Sequence, residues 1–277
     1  MIIIADSGST KTEWSLISPD GAERRIFTQG INPYFTTNEA IEADLRQNLL
    51  PELRGASVES VYFYGAGCAQ PDKCAVVSSA LSALFSDARI EVASDLLGAC
   101  RSLLGGEAGI AGILGTGSNS CFYDGRKIIA NVPPLGFILG DEGSGAHLGK
   151  LLAGDVVKRQ LPPEVCEAFF EETHLTSAEI VERVYRAPYP SRFLASLAPF
   201  VGRYIGEPSL RQMAKGAFTA FLRRNVMNYD YRTHAVSLTG GVAYHFADLI
   251  REAADELGVR VGRITKAPME GLIAYHR

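Results

Sequence analysis

Met1-Ile2-Ile3-Ile4-Ala5-Asp6-Ser7-Gly8-Ser9-Thr10-Lys11-Thr12-Glu13-Trp14-Ser15-Leu16-Ile17-Ser18-Pro19-Asp20-Gly21 opens the chain and decides its fold. Residues 1–5 form an apolar run of strand length that stops at a loop of small polar residues, 6–12. Residues 13–18 read as a second strand, Pro19-Asp20-Gly21 turns the chain, and a third strand follows around 24–28. Strands joined by such short turns lie side by side and antiparallel. Beyond this meander, residues 38–50 carry Ile41, Leu45 and Leu49 at helical spacing. A buried strand at 58–65, a helix at 73–85, a strand at 89–93 and a helix from Ser94-Asp95 through 104 come next. A meander followed by alternating strands and helices predicts an α/β fold, with a mixed sheet and helices on its faces.

The chain then begins again. Residues 109–114 are a strand, followed by Gly115-Thr116-Gly117-Ser118-Asn119-Ser120, a strand at 121–123 and an Asp124-Gly125 turn. This repeats the order strand, Gly/Ser/Thr loop, strand, Asp-Gly turn of residues 2–21. The repeat predicts two similar domains, 1–108 and 109–265, with a closing helix at about 266–277 packing back on the first. Helical segments fill 145–228, and a strand at 235–239 ends in Gly240-Gly241, which opens a helix reaching 257. A short strand at 260–264 precedes the closing helix.

Composition narrows the function. The net charge of −4, from 27 basic and 31 acidic residues, gives no electrostatic footprint for nucleic acid or an anionic membrane. No stretch reaches the roughly 18 apolar residues of a membrane span, and the amino terminus reads as a strand rather than a signal peptide. The five cysteines, none spaced Cys-x-x-Cys, read as reduced thiols of a cytoplasmic protein.

The chemistry falls in the loops at strand ends. Consecutive Gly, Ser and Thr residues can turn backbone N–H groups into one concavity and hold phosphate, with hydroxyls as further donors. Gly8 and Gly117 lack a Cβ that would block a phosphate from the backbone. Asp6 is placed to hold hydrated Mg2+, a hard cation that prefers oxygen ligands, and Lys11 to neutralise a phosphate. A Walker loop is excluded: before Gly149-Lys150 the required glycine is Ser144, and Leu151 replaces the Ser/Thr. Each loop taken alone also fits a plain hairpin turn.

Four segments together carry a family resemblance: Asp6-Ser7-Gly8-Ser9-Thr10-Lys11-Thr12, Gly115-Thr116-Gly117-Ser118-Asn119, Gly140-Asp141-Glu142-Gly143-Ser144 and Leu238-Thr239-Gly240-Gly241-Val242-Ala243. In this order they resemble the signatures of the BadF/BadG/BcrA/BcrD ATPase family, and within it the N-acetylglucosamine kinases, of the actin, hexokinase and Hsp70 superfamily. The resemblance implies two ribonuclease-H-like domains with an interdomain cleft that holds ATP. It implies that Ser7, Gly8, Ser9, Thr10, Lys11, Gly115, Thr116 and Gly117 grip phosphates and that Gly240 and Gly241 lie against adenosine. By the same resemblance Asp95 matches a catalytic aspartate, while Asn32, Ser118, Asn119 and Asp141 match sugar contacts. A homodimer is the family's common habit.

The residue types suit these roles. A sugar hydroxyl is a poor nucleophile, so a carboxylate in hydrogen-bond reach serves as its base. Carboxylates and amides supply the paired acceptors and donors that vicinal hydroxyls need. Plain alternatives stand beside each assignment: Asp95 as a helix cap, Asn32 before Pro33 as a turn former, Asp141-Glu142 as acidic residues at a helix start, and His147 as a structural residue. The leading expectation is an ATP-dependent amino-sugar kinase acting on small molecules. The alternatives are an ATPase activator of a CoA-ester reductase or dehydratase, which would need cysteine-bound iron–sulfur, and a non-catalytic sugar- or nucleotide-sensing module.

Overall fold

The computed structural model describes residues 1–8 and 11–277. In chain order the elements are β1 (Ile2–Ser7), β2 (Lys11–Ile17), β3 (Glu23–Gln29), α1 (Asn38–Asn48), α2 (Leu50–Leu53), β4 (Ser60–Gly65), α3 (Pro71–Leu84), β5 (Arg89–Ser94) and α4 (Asp95–Leu104). There follow β6 (Ala108–Leu114), β7 (Ser118–Asp124), β8 (Ile128–Val132), α5 (Gly136–Leu139), α6 (Gly145–Val157), α7 (Pro163–Thr173), α8 (Ser177–Tyr185), α9 (Pro190–Arg203) and α10 (Pro208–Arg224). The last are β9 (Val236–Thr239), α11 (Gly241–His245), α12 (Ala247–Asp255), β10 (Val261–Thr265) and α13 (Met269–His276). They form two compact units, Met1–Gly106 with Pro268–Arg277, and Glu107–Ala267.

Each unit holds one five-stranded mixed sheet, ordered β3-β2-β1-β4-β5 in the first and β8-β7-β6-β9-β10 in the second. Both run an antiparallel meander into two parallel strands. The repetition read from two loops therefore extends to the whole strand order, and the expected α/β class is the observed one.

Strand alternation explains how the first sheet is covered on both faces. Ile3, Ala5, Val61 and Phe63 share a core with Ile41 and Leu45 of α1 and Val77 and Leu81 of α3. Ile4 and Tyr64 point the other way, into a cluster with Met269, Leu272 and Ile273 of α13. Trp14 packs in the first of these cores, its ring centroid 5.9 Å from that of Phe63 and its indole N–H donated to Thr28. The second unit has one large core that joins its sheet to α6, α9, α10 and α12.

Three local differences from the expected pattern have physical reasons. Ser118 and Asn119 lie in β7 rather than in a loop, because Ser118 pairs with Leu114 and Asn119 with Ile113. The helix expected from 240 to 257 is two, because the chain turns at Phe246 (φ −110°, ψ 21°) and buries that ring against Phe218. Strand β8 and helix α5 fall in a segment that carries neither period clearly.

Helices α6 and α9 pack closely where Gly149 meets Leu194. A Cβ built on Gly149 would sit 1.9 Å from the Leu194 carbonyl oxygen. Backbone cannot yield as a side chain does, so Gly149→Ala is expected to destabilise the protein by about 3 kcal/mol or more. Chemical denaturation of the purified variant checks this, and an unchanged midpoint would refute it.

Candidate functional site

In the first unit the parallel strands β1, β4 and β5 end level with one another. Ser7 pairs with Gly65, and Gly65 with Ser94. Loops at the carboxyl ends of parallel strands are where α/β folds bind ligands. Asp6 lies on the same face as Ile4, the face that α4 and α13 cover, and Asp95 is the first residue of α4.

Asp95 does not cap its helix. Ser94 does so, its hydroxyl accepting the Leu97 N–H at 3.2 Å. The Asp95 carboxylate accepts the Leu96 N–H at 2.8 Å through Oδ1, which leaves Oδ2 for another partner. Desolvation pushes the Asp95 pKa up, and the Leu96 hydrogen bond offsets only part of this. Asp6 is pushed up to about 7, first by burial, then by the charges of Asp95 and Glu13, with Lys11 acting in the opposite sense. Two carboxyls that both resist ionisation, Asp95 through burial and Asp6 through burial and the Asp95 charge, suit a site that receives a cation or a proton.

Ser7 ties the segment just before Asn32 to the end of β1. The buried Ser7 hydroxyl touches Thr12 Oγ1 at 2.7 Å and exchanges two hydrogen bonds with the backbone of Ile31. Its oxygen is thereby committed to the protein. Asn32 closes a turn, with Oδ1 accepting the Tyr34 N–H at 3.0 Å. The turn-forming alternative is thus real, and it leaves the Nδ2 donor for other use. Gly8 N–H donates to the Lys11 carbonyl, and the Lys11 ammonium lies 4.9 Å over the Phe27 ring. Ser9 and Thr10 lie outside the described residues.

The sequence reading missed the end of β4 and the loop after it, Gly65 and Ala66-Gly67-Cys68. Ala66 N–H donates to the Ser7 carbonyl, and Gly67 (φ +85°) has Asn32 Oδ1 only 2.6 Å from where a Cβ would stand. A glycine ending a buried strand and another two residues later were the available signal.

In the second unit three predicted loops converge. The Gly115-Thr116-Gly117 hairpin closes with Gly115 N–H donating to the Gly117 carbonyl. The carbonyls of Gly115 and Thr116 accept the N–H groups of Gly145 and Ala146, the first two residues of α6. The Asp141 carboxylate lies over Gly117, 3.0 Å from where a Cβ would be, and accepts the Ser118 N–H at 3.2 Å. Asp141 stands at φ +53°, outside the helix, so it is not a helix-start residue. Its pKa is raised, mainly by desolvation, with the Ser118 N–H opposing. Glu142 pairs instead with Arg224 at 2.5 Å and accepts from Asn225.

Asn119 is oriented by its neighbours, Oδ1 accepting from Ser120 N–H and Asn131 Nδ2. Gly240 (φ +121°) crosses the end of β6, where a Cβ would meet the Leu114 carbonyl oxygen at 2.3 Å. A Cβ on Gly115 or Gly241 would meet nothing within 4 Å, so a ligand can approach their backbones. Among the described residues no helix is long and apolar enough to cross a membrane.

No protein-family model and no curated protein matches the chain. Solved structures do. A Porphyromonas gingivalis protein, provisionally assigned as an N-acetylglucosamine kinase, is 46% identical with a TM-score of 0.95, over 100% of this chain and 98% of that one. A Chromobacterium violaceum protein with the same provisional assignment is 20% identical, TM-score 0.75, over 100% and 98%. A ROK-family glucokinase from Streptomyces griseus, solved with glucose and AMPPNP, is 17% identical, TM-score 0.60, over 99% and 97%. The last two are similar in fold alone.

Proposed function

We propose, for a chain that belongs to the N-acetylglucosamine-kinase-like family of sugar kinases, transfer of the γ-phosphate of ATP to the 6-hydroxyl of N-acetylglucosamine or a related hexosamine. The observation that carries the reading is the placement of Asp95. Its carboxyl stands at the end of β5, beside Asp6, with one oxygen fixed by Leu96 and its pKa raised by burial. A base of raised pKa is better matched to the proton of an alcohol than an ordinary carboxylate.

In this reading Asp95 accepts the proton of the attacking hydroxyl. Asn32, Ser118, Asn119 and Asp141 hold the sugar's remaining hydroxyls. Asp141 is suited to this because its backbone and Ser118 fix its direction before the sugar arrives, which lowers the ordering cost of binding. Gly8, Ser9, Thr10, Lys11, Gly115, Thr116 and Gly117 receive the phosphates, and Gly240 and Gly241 the adenosine. Ser7 serves by tying the Asn32 turn to the phosphate loop, since its hydroxyl is engaged there.

Mg2+ fits the first unit's residues. Burial first, then the charges of Asp95 and Glu13, lift Asp6 to about 7; a hard cation offsets these costs, and Mg2+ commonly takes only one or two protein carboxylates alongside phosphates. Asp6 would hold it, and it would neutralise charge on the transferred phosphoryl group.

An ADP-release assay over hexoses and hexosamines tests the proposal. Turnover is expected to be fastest on an amino sugar and to vanish when Mg2+ is chelated. ATP hydrolysis indifferent to every sugar would refute it.

A further inference from the structure

The segment that carries Asp141 is held in an unfavourable backbone form. Asp141 at φ +53° and Gly143 at φ +72° both lie in the left-handed region, which costs a non-glycine residue free energy unless its surroundings impose it. Three restraints impose it here. Glu142 is tied to Arg224 and Asn225 at the end of α10. Gly143 is packed against Phe218 and Phe221, with the Phe221 Cβ 3.0 Å from where its own would stand. The third restraint is His147, whose Nδ1 accepts the Gly143 N–H at 3.0 Å.

This last bond is a variant of a helix-capping device. Ser144 caps α6 and accepts the His147 N–H at 3.1 Å, while the His147 side chain reaches back. In the usual capping box the third residue's side chain binds the N-cap N–H. Here it binds the N–H one residue earlier, inside the left-handed turn. Without it that N–H would lose its partner at a part-buried position.

We propose that His147 is a positioning residue for the sugar: through Nδ1 it fixes the Gly143 turn, which aims the Asp141 carboxylate at the sugar hydroxyls. The inference rests on the reading of Asp141 as a sugar ligand. Because Nδ1 accepts, the neutral ring carries its proton on Nε2. Protonation would turn Nδ1 into a donor facing another donor and break the bond.

The surroundings oppose that protonation. Desolvation lowers the His147 pKa first, Lys150 on the same helix and Arg224 on α10 lower it further, and Glu142 alone among the three charged neighbours raises it. The positive end of α6 acts in the same sense as the cations. The ring also borders a groove of about 520 Å³ with Leu151, Asp155, Gln212 and Met213, where Asp155 is a further charged group. The bond is therefore intact at neutral pH, and sugar affinity should decline as pH falls below the depressed value.

Steady-state kinetics on the full chain, from about pH 5 to 8 at saturating MgATP, test this. The sugar is the hexose or hexosamine that the wild type phosphorylates fastest. His147→Ala is expected to raise the sugar KM about tenfold, the worth of one buried hydrogen bond, and to leave the ATP KM alone. His147→Asn, whose carboxamide oxygen can replace Nδ1 and takes no proton, should restore the sugar KM at neutral pH and lessen its rise in acid to the part that protonation of Asp141 itself causes. The inference is overturned if His147→Ala keeps the wild-type sugar KM, if both variants are equally impaired, or if the acid rise in His147→Asn is as steep as in the wild type. Should His147→Ala not fold, the pH profile of His147→Asn decides alone. A wild type inert on every sugar overturns the kinase reading and this inference with it.

Discussion

Asp95→Asn is expected to lower kcat about a thousandfold while nucleotide affinity stays at the wild-type level. The substitution is almost isosteric. The asparagine oxygen can keep the Leu96 N–H bond at 2.8 Å, which directs Nδ2 to the place where the basic oxygen stood. A donor then replaces an acceptor at the position that must take the proton. Single-turnover kinetics with isothermal titration of ATP separate the two effects. Near-normal turnover would remove Asp95 from the mechanism.

Stability gives a second, opposite signature. The Asp95 pKa is raised in the folded protein, so the folded state binds this proton more tightly than the unfolded chain. For such a carboxyl, the stabilisation is present below the unfolded pKa and is lost as pH rises through the folded value. At neutral pH and without divalent cation, the Asp95 carboxyl therefore costs stability relative to acid. Asp95→Asn should melt no lower than the wild type there, and above it if nothing else changes. A loss of activity joined to equal or higher Tm is the mark of a residue kept for chemistry.

The second large effect is expected from Gly240→Ala. Its φ of +121° is one that L-residues rarely adopt, and the added methyl would sit 2.3 Å from the Leu114 carbonyl oxygen. Strain and overlap together should cost about 3 kcal/mol or more. For a unit of this size that corresponds to a Tm lowered by roughly 6–12 °C. The displaced junction joins the ends of β6 and β9, so nucleotide affinity should fall as well. Gly241→Ala is the control, because a Cβ there meets nothing within 4 Å and the residue begins α11. It should hold or slightly raise stability while weakening ATP binding through contact with the nucleotide itself. If Gly240→Ala melts like the wild type, the close approach to Leu114 is not rigid. If Gly241→Ala binds ATP normally, the adenosine assignment fails.

The order of strands and the loops at their ends were legible because both rest on local signals. Apolar runs stop at Gly-Ser-Thr clusters in two places, and the second copy confirms the first. The direction of Asp141 was not legible. It depends on Gly143 lying against Phe218 and Phe221, more than seventy residues away in sequence, and on Arg224 holding Glu142. The Ser7 hydroxyl likewise reads as a phosphate donor until Ile31, twenty-four residues on, is seen to occupy it. His147 looked structural because a histidine on an apolar-leaning helix usually is. Its role depends on which backbone N–H its ring meets, and no spacing rule announces that.

Helix α13 completes the first unit from the far end of the chain. It covers Ile4, Ile17 and Tyr64, its Gly271 lies against the Ser102 carbonyl, and Ser102 in turn donates to Pro268 at 2.7 Å. On the ribosome, residues 1–106 therefore precede the helix that finishes one sheet face, which α4 covers only in part until residues 268–277 follow. The unit made second, continuous from Glu107 to Ala267, has all its parts available earlier. The unit begun first is thus the one completed last in sequence, and the half that carries Asp95 depends on residues 268–277 for part of one sheet face.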